Sequence, residues 1–144
     1  MIAPGSIANK FAQSLRAWPN HEIVAVGSRS IERAEQFGER YQVKNRYGSY
    51  SEVAKDPEVD AVYVAPPHRF HKDAVLPCLE QGKAVLCEKP LTVNRREAEE
   101  LVAAAKRKNV FLMEAMWTRF LPAMRRVREW IREGRIGDVR MLRA

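Results

Sequence analysis

"VDAVYVAPP", residues Val59–Pro67, is a short valine-rich run closed by two prolines. Its apolar side chains come one after another instead of alternating with polar ones, the pattern of a strand covered on both faces. Three further runs share it: EIVAVGS (Glu22–Ser28), KAVLCEKP (Lys83–Pro90) and NVFLMEA (Asn109–Ala115). Helical patterns fill the gaps, over Ser6–Ala17, Ser30–Tyr41 and Phe70–Gln81, and RYGSYSEVAKDPEVD (Arg46–Asp60) reads as a short strand, a turn and a short helix. Asn94 followed by Glu97 makes a helix start, and Ala98, Leu101, Val102 and Ala105 then recur at helical spacing. Strand and helix in alternation predict an α/β fold, a doubly wound parallel sheet built from right-handed crossovers.

Outward from that frame, composition narrows the class. A chain of 144 residues fits one domain that buries roughly 70% of its unfolded surface. With 46% hydrophobic and 30% charged residues it is not disordered, and no apolar run approaches the roughly 20 residues of a membrane span. The expectation is a cytoplasmic protein that binds no membrane. Cys78 and Cys87 match no metal or redox spacing and read as free thiols, and no metal site is expected. The net charge of +7 is concentrated late, with Arg125, Arg126, Arg128, Arg132, Arg135 and Arg140 between Arg119 and Arg143. Nucleic acid is one reading of such a stretch. Glu129 and Glu133 interleave with these arginines, and Leu121, Met124, Val127 and Ile131 form an apolar stripe, so a solvated helix at a domain junction is the better one. Gly134 would end that helix, and GDVRMLRA (137–144) reads as the start of a strand.

Ala3–Ala8, A-P-G-S-I-A, resembles a phosphate-binding turn ahead of a helix, with Gly5 admitting a pyrophosphate and Ala8 allowing close packing; an ordinary loop is the alternative. Ala3 stands where the first glycine belongs, which is tolerable if the turn avoids positive φ. Such a turn follows the first strand of its fold, yet only Met1 and Ile2 precede this one, so the chain reads as cut at both ends. Where the second strand of an NAD-binding fold carries an acid for the adenosine ribose, this chain has Ser28 and Arg29. A hydroxyl and a guanidinium suit a 2′-phosphate, which points to NADP, with NAD possible. In VAPPHRFH, Pro66 and Pro67 stiffen a turn beside the cofactor, and His68 and His71 lack a third partner for a metal. In CEKP, Glu88 and Lys89 would stand at the carboxyl end of a strand, where a lysine lowered in pKa by burial can exchange a proton with a substrate oxygen; a surface ion pair is the alternative.

Taken in order, A-P-G-S-I-A-N-K-F-A, V-G-S-R-S-x-x-R-A, V-D-A-V-Y-V-A-P-P-H-x-x-H, G-K-A-V-L-C-E-K-P-L and M-E-A-M-W-T-R-F-L-P resemble the glucose-fructose oxidoreductase and inositol dehydrogenase (Gfo/Idh/MocA) family, in particular its dihydrodiol dehydrogenase-like members. The resemblance implies a nicotinamide-dependent oxidoreductase acting on a polyol, sugar or diol, with a Rossmann domain at 1–117. Residues 118–144 would be a connecting helix and the first strand of a second α/β domain that covers the substrate and, in full-length members, forms a homo-oligomer interface. It implies Lys89 as the catalytic lysine with Glu88 orienting the site. Gly5, Ser6 and Ile7 would form the pyrophosphate turn, Ser28, Arg29 and Arg33 the adenosine phosphate end, and Pro66 and His68 the wall. His71 completes a P-x-x-x-H pattern, and Trp117 and Arg119 a W-x-R-F segment near the nicotinamide. The family's second catalytic group has no counterpart here, so the chain is expected to bind NADPH and turn over little, the alternative being a non-catalytic nucleotide-binding module or an inactive fragment.

Overall fold

The computed structural model describes residues 1–141. Five parallel strands and six helices follow one another as α1 (Ser6–Leu15), β1 (Ala25–Gly27), α2 (Ile31–Tyr41), β2 (Asn45–Tyr47), α3 (Tyr50–Lys55), β3 (Ala61–Val64), α4 (His71–Glu80), β4 (Ala84–Cys87), α5 (Arg95–Lys108), β5 (Leu112–Glu114) and α6 (Pro122–Arg132). β1 pairs with β2, and β3 pairs with β4, which pairs with β5. Met1–Ala3 joins the two halves into one sheet. Ile2 N–H donates to Tyr63 O (2.9 Å), Ala65 N–H to Ile2 O (3.2 Å), Gly27 N–H to Met1 O and Ala3 N–H to Gly27 O (both 2.9 Å). Ile2 therefore bridges Gly27 on one side and Val64 on the other, and the order across the sheet is β2, β1, Met1–Ala3, β3, β4, β5. This is the Rossmann-type doubly wound sheet expected, and its strand order reverses at the central ribbon.

Side chains alternate across the pleat to make two cores. Val26 and Tyr63 pack with Ala8 and Ala12 of α1 and with Ala34, Phe37 and Tyr41 of α2. Ile2, Ala25, Val62, Val64 and Val85 pack on the opposite face with α3, α4 and α5 through Val53, Val75, Leu79 and Leu101. Gly27 is required by proximity: a Cβ there would lie 2.5 Å from the Val53 side chain and 2.9 Å from Ser49 O. β1 can approach the start of α3 this closely only without one.

The helix start read at Asn94 is formed. Asn94 Oδ1 accepts from Glu97 N–H (3.0 Å), and Ser49 caps α3 in the same manner. Ser30 does not cap α2 through its side chain, because its hydroxyl donates to the Glu32 carboxylate instead (2.5 Å). Three expectations are corrected by burial and pairing. The strands are shorter than the apolar runs, and β5 is half-buried because it is the sheet edge. Val102, on the helical stripe of α5, stays 40% exposed beside that edge. No strand forms over residues 137–141, which find no neighbouring strand to supply ladder hydrogen bonds; residues 142–144 of that expected strand lie outside the described residues. Helix α6 ends as expected, with Gly134 at φ +70°, but its stripe of Leu121, Met124, Val127 and Ile131 is buried by nothing among the described residues.

Candidate functional site

At the carboxyl edge of the sheet, where the order reverses, lies a cleft of about 780 Å³ lined by Ala3–Ile7, Lys10, Ser28–Ser30, Arg33, Tyr50 and Ala65–Pro67. Its floor is the turn into α1. Gly5 caps that helix with extended backbone (φ −84°) and no side-chain cap, so the first-turn amides of Ser6 and Ile7 keep their donors open. A Cβ on Gly5 would meet nothing closer than Ala3 O at 4.0 Å, which leaves the space in front of those amides clear. The turn is tightened by Gly5 N–H donating to Ala3 O across Pro4 (2.7 Å). Ala3 adopts φ +61°, so the condition under which its alanine was tolerable is not met: the residue in the first-glycine position takes a left-handed conformation that disfavours a Cβ.

One end of the cleft is cationic. Arg29 lies over the Phe70 ring, with its guanidinium carbon 4.6 Å from the centroid, and Arg33 and Lys10 complete a set of three cations with no carboxylate among the lining residues. Ser28 is buried, and its Oγ accepts from Ser30 N–H (3.3 Å). Tyr50 stands between Arg29 and Arg33; burial raises its phenol pKa, and the two arginines oppose that rise. Lys10, Tyr50 and Phe70 escaped the sequence reading. For Lys10 a signal existed, since Ser6 and Lys10 fall one helical turn apart on α1.

Outside the cleft lining, β4 delivers Glu88 and Lys89 at the same carboxyl edge of the sheet, with Glu88 N–H on Val64 O of β3. Glu88 is tied down: its Oε1 accepts from Tyr63 OH (2.6 Å) and its Oε2 from Lys89 N–H (3.2 Å). Burial and that carboxylate push the Tyr63 phenol well above its ordinary range, so the hydroxyl remains a donor. Tyr63 also stacks on Phe11 of α1, centroids 4.0 Å apart, and so connects the helix under the phosphate turn to the Glu-Lys pair. Lys89 is exposed and makes no ion pair with Glu88, which removes both the burial expected of it and the ion-pair alternative. His68 is exposed and does not line the cleft, while His71 is fully buried with both ring nitrogens on backbone carbonyls, one of them that of the lining residue Pro66. Pro66 is buried in the wall. Trp117 and Arg119, in a short 3-10 turn past β5, are exposed and do not line this cleft. Cys78 and Cys87 are buried and free, and burial pushes their thiols up to about 11 and about 12.

A sheet whose strand order reverses at a cleft floored by a phosphate-type turn is a nucleotide-binding architecture. The chain belongs to the Gfo/Idh/MocA oxidoreductase family, NAD-binding Rossmann fold, whose model matches residues 1–116. Among its relatives is the trans-1,2-dihydrobenzene-1,2-diol dehydrogenase of Mus musculus, 50% identical over 146 residues that cover 100% of this chain and 44% of the mouse protein. The Homo sapiens enzyme of that name is 44% identical over the same share. A 3-ketoreductase from Actinomadura kijaniata, crystallised with NADP and TDP-benzene, superposes with a TM-score of 0.86 at 37% identity, covering 96% of this chain and 43% of that one. The chain thus spans 44% of the length of the curated relatives it matches.

Proposed function

We propose that this chain is the NADP-binding part of an oxidoreductase that moves hydride between the nicotinamide and a carbon of a sugar, cyclitol or diol-type alcohol or carbonyl, in the cytoplasm. The observation that carries the reading is the cleft itself: open first-turn amides at one wall and Lys10, Arg29 and Arg33 at another, with no carboxylate to repel a phosphate. The cofactor, when bound, supplies or receives the hydride. Ser6 and Ile7 hold the pyrophosphate through their amides; Ser28, Arg29 and Arg33 hold the 2′-phosphate, helped by Lys10; Pro66 and His68 wall the nicotinamide end. Trp117, the last residue of 1–117, and Arg119, in the segment 118–144 that leads into a substrate-covering domain, approach that end.

Lys89 donates a proton to the substrate oxygen as a carbonyl is reduced, and accepts one as an alcohol is oxidised. Glu88 does not compete for that proton, because Tyr63 and the Lys89 amide occupy its oxygens. It fixes the direction in which the chain leaves β4. Binding of NADP and relationship to diol dehydrogenases in two vertebrates support this assignment, the first as a property of the Actinomadura ketoreductase. The test is a parallel titration with NADPH and NADH, read by nicotinamide fluorescence and quenching of the three tryptophans. NADPH is expected to bind at least about tenfold more tightly than NADH, the value of one lost charge-assisted contact. Equal affinities, or no binding by a folded chain, overturn it.

A further inference from the structure

β3 and β4 run in register as far as Val64 and Cys87, and Glu88 N–H donating to Val64 O (2.9 Å) is the last rung between them. Beyond it the ladder has no donors to continue with, because Pro66, Pro67 and Pro90 carry no N–H. The two loops that leave the strands are the Pro66 wall and the Lys89–Pro90 segment. His71, at the start of α4 and 0% exposed, stands behind both. Its Nδ1 lies 2.8 Å from Pro90 O and its Nε2 lies 2.9 Å from Pro66 O.

Carbonyl oxygens only accept. A neutral imidazole offers one N–H and one bare lone pair, so in either tautomer one of these contacts would set lone pair against lone pair at hydrogen-bond distance. Both are satisfied only when both nitrogens carry hydrogen. We infer that His71 is a doubly donating, cationic clasp that replaces the missing ladder rungs and sets the spacing between the Pro66 wall and Lys89. It acts as a positioning residue through those backbones and touches no cofactor. The inference rests on the reading of the cleft as an NADP site with Lys89 as proton donor.

The titratable groups near the clasp lie on the elements packed around it. The His68 ring meets His71 edge-on, centroids 5.5 Å apart. Glu114 of β5 accepts from Leu91 N–H (2.8 Å), the residue after Pro90, and so places a carboxylate beside the same loop; the Glu88 carboxylate accepts from Tyr63 OH and Lys89 N–H. Cys87, whose thiol burial pushes up to about 12, stays neutral there. On α5, Glu100 is bonded to Lys72, the residue next to His71.

The first test needs no variant. In a two-bond ¹H–¹⁵N spectrum of the ¹⁵N-histidine-labelled chain at neutral pH, one of the three rings is expected to show both nitrogens protonated and slow to exchange, while His21 and His68 exchange with solvent. A buried ring with one protonated and one bare nitrogen overturns the clasp, and this result stands whether or not NADPH binds. The second test is His71→Gln, whose amide cannot reach both carbonyls. Affinity for NADPH is expected to fall about tenfold, the cost of two hydrogen bonds. Affinity for adenosine 2′,5′-bisphosphate, which engages only the cationic end, is expected to stay within about twofold. Equal loss of both ligands, or loss of neither, overturns the positioning role; should the variant not fold, the wild-type spectrum decides. Failure of wild type to bind NADPH would instead sink the cofactor reading and leave the protonation result intact.

Discussion

The two edges of the sheet are built on opposite rules. At the carboxyl edge, polar groups are left open: the amides of Ser6 and Ile7 and the cations of Lys10, Arg29 and Arg33 face a cleft. At the amino edge they are tied together. Asp56 accepts from Asn45 (2.9 Å), Tyr47 (3.1 Å) and Glu58 N–H (2.9 Å), while Lys83 Nζ donates to Asp56 O and Val59 O. Burial raises the Asp56 pKa, but these hydrogen bonds and the Lys83 charge outweigh it and hold the carboxyl below its ordinary value. Changes at one edge should therefore move stability, and changes at the other should move binding.

The sharpest case on the amino side is the α-amine of a polypeptide starting at Met1, which donates to Ala25 O (2.7 Å) and is pushed by burial from 8.0 to about 5. Between those values the unfolded chain holds the proton and the folded chain does not, so stability rises with pH across the window and is flat outside it. The gain amounts to about 4 kcal/mol at most. Urea unfolding at pH 5 and pH 8, compared between this chain and one whose amine is blocked by a preceding residue, reads it as a difference in slope; parallel slopes refute it.

Asp56→Ala comes next, at about 3 kcal/mol, because three donors, Asn45 Nδ2, Tyr47 OH and Glu58 N–H, lose their carboxylate acceptor while Lys83 keeps the backbone carbonyl. The lowered pKa adds a sign: wild type keeps this contribution above about pH 4 and loses it as pH falls through the folded-state value, whereas the variant lacks that acid-limb loss. Denaturation midpoints from pH 7 to pH 2 test both. On the opposite edge, Arg29→Ala should cost ten- to a hundredfold in NADPH affinity, leave NADH unchanged and move stability by less than about 0.5 kcal/mol. A matched loss of both nucleotides would break the comparison. The smallest effect crosses it deliberately. Ala3→Gly, at the cleft, relieves a left-handed alanine and should stabilise by about 1 kcal/mol, seen as a higher melting temperature.

The sheet was legible because each Val-rich run is short and bounded by turn residues, and the cleft because Gly5, Ser28 and Arg29 end up where strand order reverses. What escaped depends on partners distant in sequence. Tyr63 reads as one more apolar strand residue until Glu88 arrives under its hydroxyl, and His71 reads as half of a histidine pair until Pro66 and Pro90 close on its two nitrogens. The positive φ of Ala3 follows from hydrogen bonds on both sides of Met1–Ala3, which no local pattern encodes. Helices α5 and α6 show the same limit: both carry apolar stripes, yet Leu101 is fully buried and Val127 is 39% exposed. Periodicity declares a face without naming what covers it.

The central ribbon carries a consequence for the order of folding. β1 with α2 and β2, and β3 with α4 and β4, are each closed by neighbours in sequence. Among the described residues, the strand pairing that joins these half-sheets runs through Ile2 alone, to Gly27 on one side and to distant Val64 on the other. The longer closure carries the larger chain-entropy cost, so the β1–β2 and β3–β4 pairings are expected to form before Met1–Ala3 docks between them, as a zipper pulled shut from the middle. The cleft sits on that seam, so its assembly is expected to wait on that docking.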